Sequence, residues 1–510
     1  MRHILIGGSR FVGRYLTASL LGSQVRLRRR ADVWAVVLVL IVYTGVCIAF
    51  ISRPFSWGDE VQFTDPAANL YFHGRFVTTA WPYQTVDDVF FGNAPLYSLL
   101  LACWYELVGF SLFKTRILSW IFACVGIAYS LAALQRSSLL VGNYRLILTS
   151  LFLTGAGLSV SIWSARYDTL GFVVLAALLY GLAVKGTRSG DITRRVALML
   201  APVAGFHLVF VVLFLYAAIS WAGRRSWRAS LPDIAFMIGG GLAMLAFYGV
   251  TVGIGRFVFL TLFSDHTVLG QAARGASRGF AHALVEKGTA LLGVFTQDPS
   301  YTVLLIGTAV AAIWILYRNQ WRMCFARRDI ALAAGAALLP ILLLLIGKYA
   351  VYYSWIGWSC LCVLFLMVLS RPEIPSNWRT AMIAGSIAVS LGVGLASYLE
   401  SSLAPAPTDA YRAELDAAID RDVRPGEVVF SDMATYFDVW RRAGHVYVHT
   451  YAQNYFLPGF PMPSPVTAMV VREENLVQIE KLLDGTWQCV WRSSTTQRGD
   501  LPELRLCKRR

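Results

Sequence analysis

The chain has 510 residues, 56% of them hydrophobic and only 15% charged, with a mean hydropathy of +0.56. Soluble domains carry about a quarter charged residues, so this composition describes a chain that lives in a bilayer and excludes a soluble enzyme or a disordered protein. Lys and Arg (45) outnumber Asp and Glu (30) for a net charge of +15, but basic residues gather in cytoplasmic loops of membrane proteins, so the excess points to no nucleic-acid partner.

Residues 1–30 read as a basic cytoplasmic extension. Ile4 to Leu16, with Gly7, Gly8 and Gly13, resembles the strand, glycine turn and helix of a dinucleotide-binding unit. The chain then runs from Arg30 straight into a membrane span, with no second βα unit and no acidic ribose ligand, so no nicotinamide site can be built there. Apolar runs approaching the roughly 20 residues that cross a hydrocarbon core lie at 32–52, 116–134, 146–164, 169–184, 231–254, 300–317, 330–347, 350–369 and 380–398. Two further segments have two readings. Residues 94–113 carry Glu106 and the interface-preferring Tyr97, Trp104, Tyr105 and Phe110, and either span or lie flat. Residues 196–222 contain Pro202 and Gly205, and form either one long span or a hairpin of two short helices.

Charge selects between these readings. With 94–113 on the outer surface and 196–222 a hairpin, Arg136, Arg145, Lys185, Arg188, Arg194 and Arg195 fall inside, and only Lys114, Arg116 and Arg166 outside. The expected architecture is therefore a mainly α, polytopic membrane protein with about eleven transmembrane helices. Its membrane domain covers 31–400, with outer loops at 53–115 and 255–299, the first of them carrying surface-lying helices. The N-terminus is cytoplasmic, in the cell (inner) membrane. From 401 to 510 the pattern becomes that of a small extracytoplasmic α/β domain, with helices at 408–422 and 473–484 and strands near 427–430, 445–451, 466–472, 487–493 and 503–507. The eight cysteines show no zinc-ligand clustering, but Cys489 and Cys507 fall in two of these strands, in a compartment that permits a disulfide.

The strongest chemical signal is Trp57-Gly58-Asp59-Glu60, just after the first span. Two adjacent carboxylates at a membrane surface are expensive unless they are solvated or used; the competing reading is that Asp59 caps the following helix. A second acidic group, Asp168, stands with Arg166 in Arg166-Tyr167-Asp168, which the same topology places outside. Its competing reading is an Arg–Asp pair that finishes a loop.

The order of a first span, Trp57-Gly58-Asp59-Glu60, a helix ending near Gly74, Ala94-Pro95-Leu96-Tyr97, and Arg116 opening a span resembles the GT-C superfamily of polyprenyl-phosphate-dependent glycosyltransferases. It is most similar to the branch of protein O-mannosyltransferases and lipid A aminoarabinose transferases, over roughly residues 32–400. The resemblance implies a GT-C-type fold and an inverting transfer, in which Asp59 binds or deprotonates the acceptor hydroxyl and a lipid phosphate leaves the anomeric carbon. Asp59 is thereby the first catalytic candidate, with Glu60 and Asp168 as further ones, and Arg166, Lys348, Tyr97, Arg256 and His266 are the candidate substrate contacts. The chain departs from the aminoarabinose transferases at Gln62 and Asn93-Ala94, where those enzymes carry Arg and Lys-Pro. The donor phosphate then needs other cations, among which Arg166, Arg256, Arg274, Arg278, Lys287 and Lys348 are candidates. Lys348, in the aromatic stretch Lys348-Tyr349-Ala350-Val351-Tyr352-Tyr353, is the best placed of them.

The expected partners are a polyprenyl-phosphate-linked sugar, membrane lipids, and a glycan, lipid or protein acceptor. No cofactor is announced. The carboxylates are compatible with a divalent cation or with none, and no His pair has metal-ligand spacing on a helix. A transporter or lipid flippase is the alternative from another class, but it would use mid-span charges and inverted repeats; a third is a scaffold that presents the C-terminal domain.

Overall fold

The computed structural model describes residues 33–46, 48–49, 51, 56–81, 84, 87–136, 144–184, 186–224, 226–262, 289, 298–322, 325–345, 351–403, 409–448, 465–483, 485–493 and 503–510. The glycine-rich stretch near Gly7, and His266, Arg274, Arg278, Lys287 and Lys348, lie outside the described residues.

The membrane part is a helical bundle: α1 (Val33–Val46), α2 (Gly58–His73), α3 (Leu96–Val108), α4 (Leu112–Arg136), α5 (Tyr144–Thr154), α6 (Ala156–Trp163), α7 (Asp168–Ala183), α8 (Arg188–Ala204), α9 (Phe206–Ala222), α10 (Trp227–Thr251), α11 (Ile254–Leu262), α12 (Pro299–Arg318), α13 (Arg327–Leu345), α14 (Trp355–Leu369) and α15 (Ser376–Leu403). Between helices in lipid there is no hydrophobic driving force, so close backbone approach carries the packing. Helix α4 runs along α7, α7 along α8, and α8 along α10. A Cβ at Gly181 on α7 would lie 2.6 Å from the Cβ of Arg194 on α8, so only glycine fits that crossing. Helix α14 is apolar and buried on nearly every face, with Trp355 and Trp358 fully enclosed, as expected of a central helix.

Among the described residues α4, α10 and α12 are long and apolar enough to cross a membrane; α5 and α6 make a fourth span if a pair bent by 67° counts as one. Helix length alone therefore does not reach the expected eleven crossings: α7, α9 and α14 are apolar but have only 16, 17 and 15 residues. The expected single span at 146–164 is this bent pair. At the bend a side chain on Gly155 would collide with the Trp358 indole. Trp358 Nε1 donates to Leu151 O (3.1 Å), while Ser159 Oγ (2.9 Å) and Tyr43 Oη (3.1 Å) donate to Leu153 O. Leu151 O also accepts from Gly155 N (3.0 Å), so the bonds to Leu153 O are the ones that satisfy a carbonyl freed by the break. The segment read as 196–222 is broken at Gly205, but its first helix starts earlier, at Arg188, because Thr187 caps it (Gly190 N to Oγ1, 3.1 Å). Pro202 is accommodated inside that helix.

The C-terminal part comprises α16 (Asp409–Asp422), β1 (Val428–Ser431), α17 (Tyr436–Val439), β2 (His445–Val448), β3 (Ala468–Arg472), α18 (Glu473–Leu483), β4 (Trp487–Arg492) and β5 (Leu504–Arg509). Its five strands lie in the order β2-β1-β3-β5-β4, parallel from β2 to β3 and antiparallel beyond. Because side chains alternate along a strand, Val429, Val446, Val448 and Val470 face one cluster with α16 and α17, and Phe430, Met469 and Val471 face another with Ile479 and Leu483 of α18. Cys489 and Cys507 are cross-strand partners on β4 and β5 and form a disulfide. The first cluster also takes in Val61 and Ala68 of α2 and Ala80, so the sheet domain sits directly on the segment that follows α1.

Candidate active site

Helix α2 begins after Trp57, whose backbone is extended and makes no side-chain cap. Asp59 stands in the first turn, so it does not cap the helix; acidic groups there still favour the helix dipole. Helix α2 ends at Gly74, which takes the left-handed conformation (φ 67°) and donates to Leu70 O (2.9 Å), where a β-carbon would be strained.

Adjacent residues on a helix point about 100° apart, and Asp59 and Glu60 meet different partners. Glu60 is completely buried and takes a bidentate fork from Arg116 at the start of α4 (Nε and Nη2, both 2.7 Å), with Ala165 N as a further donor at 3.1 Å. Arg116, itself 2% exposed, also donates to Ile51 O (2.6 Å). Asp59 instead accepts from Arg166 Nη1. Arg166 lies in the turn between α6 and α7 and is 1% exposed; its Nε donates to Asp168 Oδ2 at 2.7 Å. Asp168, the first residue of α7, is fully buried and receives Trp355 Nε1 at 3.3 Å. The two carboxylates that might otherwise share a divalent cation thus share a guanidinium.

Aromatic rings wall this guanidinium. The Tyr352 ring lies 3.6 Å from its carbon, with Trp57 and Phe63 at 5.5 and 5.6 Å. Tyr353 and Tyr167 join hydroxyls at 2.6 Å, and the His207 ring, just past the Gly205 break, packs against both. Burial works against the charge on Arg166, but Asp168, Tyr353 and Asp59 outweigh it and hold its pKa well above the ordinary value. Of the three carboxylates only Asp59, with a side chain 31% exposed, is within reach of an incoming molecule.

The other candidates have partners of their own. Tyr97, expected at the substrate, is 1% exposed and bonded to Ser119 (2.9 Å); as an aromatic residue on a surface helix it turns toward the neighbouring α4 instead of toward open space. Arg256 pairs with Asp88 through two bonds of 2.6 and 2.7 Å. Glu60 and Asp168, expected as catalytic groups, are enclosed and hydrogen-bonded. Among the described residues no three His, Cys, Asp or Glu side chains converge as a metal site would require. Sequence reasoning quoted Trp57, Arg116, Tyr352 and Tyr353 without giving them a part, and passed over Trp355. For Arg116 a signal existed: an arginine at the head of an apolar span must find a carboxylate.

No protein-family model matches the chain, and no curated protein sequence does. Among solved structures it is similar to ArnT from Cupriavidus metallidurans bound to undecaprenyl phosphate (12% identity, TM-score 0.58) and to the same protein in the apo state (13%, 0.54). Each alignment covers 92% of this chain and 97% of that one. Arabinofuranosyltransferase AftD from Mycobacteria aligns at 13% identity and a TM-score of 0.49, over 94% of this chain and 40% of AftD. The resemblance to the aminoarabinose transferase branch is thus met at the level of fold: the chain is a mainly helical membrane protein with the fold of ArnT.

Proposed function

We propose that the protein is an integral-membrane glycosyltransferase that moves a sugar from a polyprenyl-phosphate carrier to an extracytoplasmic acceptor. The observation that carries this reading is Asp59: one reachable carboxylate, held on a buried arginine, in a chain with the fold of an ArnT structure that binds undecaprenyl phosphate. In the proposed step Asp59 takes the proton of the acceptor hydroxyl. The hydroxyl oxygen attacks the anomeric carbon from the face opposite the phosphate, and the carbon–oxygen bond to phosphate breaks with its electrons leaving on the phosphate. Configuration is thereby inverted.

Arg166 orients Asp59, Asp168 and Trp355 orient Arg166, and the Glu60–Arg116 fork ties the start of α2 to α4. Both arginines are committed to carboxylates, so the leaving phosphate needs another cation. Lys348, four residues ahead of Tyr352, is the proposed one. The proposed topology has eleven crossings, with α8 and α9 as a hairpin whose apex at Gly205 reaches the site; the contacts of His207 with Tyr167 and Tyr353 support that apex. It puts the N-terminus in the cytoplasm and the sheet domain outside the inner membrane.

The test is turnover of a panel of undecaprenyl-phosphate-linked hexoses, pentoses and aminosugars by purified protein, with Asp59→Asn in parallel. Release of undecaprenyl phosphate by the wild type and not by the variant is expected. Release by neither refutes the transferase reading, and equal release by both refutes the role of Asp59 in it.

A further inference from the structure

Helix α2 is held from two sides. Its first turn is tied to the membrane bundle through Glu60 and Arg116. The face formed by Val61, Asp65 and Ala68, spaced four and three apart as one side of a helix requires, is buried against the sheet domain. Asp65 is a carboxylate with no exposure at all. Its Oδ1 accepts from Tyr436 Oη (2.9 Å), and its Oδ2 from Thr79 N (2.6 Å) and Thr78 Oγ1 (2.9 Å). Three residues before Tyr436, Met433 lies over the start of the same helix. Its carbonyl accepts from Ser56 Oγ, and a Cβ on Gly58 would meet its sulfur at 3.1 Å. Other domain contacts, among them Phe72 stacked on Trp440 and Phe110 on Phe437, lie toward the far end of α2 and on the turn before α4.

We propose that Met433 and Tyr436 of the sheet domain are positioning residues for Asp59: gripping α2 at residues 56–58 and at Asp65, they set the angle at which its first turn presents Asp59 to Arg166. The domain then contributes to the rate of the chemical step. The inference rests on the proposed transferase reading. Its physical basis is that Tyr436 is the hydroxyl donor to Oδ1 of a buried carboxylate, and removing a donor from such a group leaves it to be satisfied only by movement or protonation. A displacement of about 1 Å in a catalytic group lowers rates by about 10²-fold.

The experiment uses the full chain in nanodiscs, with Tyr436→Phe and Ser56→Ala, which removes the hydroxyl donor to the Met433 carbonyl, compared with Phe110→Leu, which weakens the same interface at its far end. Two quantities are read: backbone hydrogen exchange over residues 57–63, and kcat and KM for the donor that the wild type consumes. Expected are faster exchange at 57–63 and a kcat lowered about tenfold or more at unchanged KM in the first two variants, and neither change in Phe110→Leu, despite a comparable fall in melting temperature. Unchanged exchange at 57–63 in Tyr436→Phe, or equal effects in all three variants, overturns the inference whether or not a donor is found. Faster exchange in Tyr436→Phe with wild-type kcat also overturns it, whereas a wild type that consumes no donor refutes the transferase reading and leaves the grip on α2 to be read from the exchange alone.

Discussion

Two buried arginines in this protein look alike until their second partner is considered. Arg166 and Arg194 are 1% and 3% exposed, and each places its Nε 2.7 Å from an aspartate that is wholly buried, Asp168 in one case and Asp233 in the other. Each also touches a more exposed carboxylate, Asp59 at 31% and Asp191 at 40%. At Arg194 that carboxylate comes from the same helix, one turn away, and Asp233 is further served by Tyr216 Oη at 2.7 Å. At Arg166 it arrives from another helix, 107 residues earlier in the chain, and the guanidinium is faced by aromatic rings. A buried arginine with its aspartate is a joint between helices. What distinguishes the Arg166 joint is a distant carboxylate held on it with one side open.

The comparison can be broken by substitution. Asp59→Asn should lower turnover by about 10²–10⁴-fold and leave the melting temperature nearly unchanged, since Asn still offers Arg166 an acceptor; turnover within a few-fold of wild type in folded protein would make the two joints equivalent. Asp233→Asn should do the reverse. Removing the charge of a wholly buried partner costs up to about 3–5 kcal/mol, lessened here because Arg194 keeps Asp191; thermal unfolding in detergent would report the loss, while activity per folded molecule stays as in wild type. Trp355→Phe keeps the packing but removes a hydrogen bond to Asp168, and should cost about 1–2 kcal/mol in the activation barrier, seen as a roughly tenfold fall in kcat.

The smallest effect concerns only the contact between α2 and the sheet domain. His73 of α2 stacks on His445 of the sheet domain with ring centres 4.1 Å apart. Burial first, then His445 and Arg75, keep its pKa below the ordinary 6.5. The unfolded chain therefore takes up the proton before the folded one does, so this stability is present above pH 6.5 and is lost as the pH falls through the folded value. Melting temperature should decline below pH 6.5, and His73→Gln should flatten that decline; an identical slope in the variant would exclude His73 as its origin.

Much of the fold is written in local pattern. The sheet domain is legible because Val428 to Ser431 and Ala468 to Arg472 are short β-branched or apolar runs between turn residues, and the Cys489–Cys507 bond follows from their cross-strand placement. Gly74 ends α2 as its left-handed geometry demands. The bend at Gly155 is not legible, because a helix apolar on all sides has no periodicity to interrupt. The candidate site divides the same way. Asp59, Arg166 and Asp168 stand out as charges in an apolar chain, but which carboxylate is reachable depends on Arg116 and Trp355, which are brought up from elsewhere in the chain by packing alone. Tyr97 shows the converse: an aromatic residue at the surface of a bilayer looks the same in sequence whether it faces a ligand or the next helix.

The bend between α5 and α6 has a consequence for how lipid seen on this protein should be read. A span that turns by 67° cannot fill the space beside straight neighbours. The volume left over is an apolar crevice of about 370 Å³, bordered by Leu38, Val42 and Tyr43 of α1, by Ser159 and Trp163 of α6, and by Leu391 of α15. Hydrocarbon of any origin, acyl, prenyl or detergent, is the natural filler of such a crevice in a bilayer. A tail resolved there would measure the shape of the elbow; evidence of selective recognition would have to come from the headgroup end.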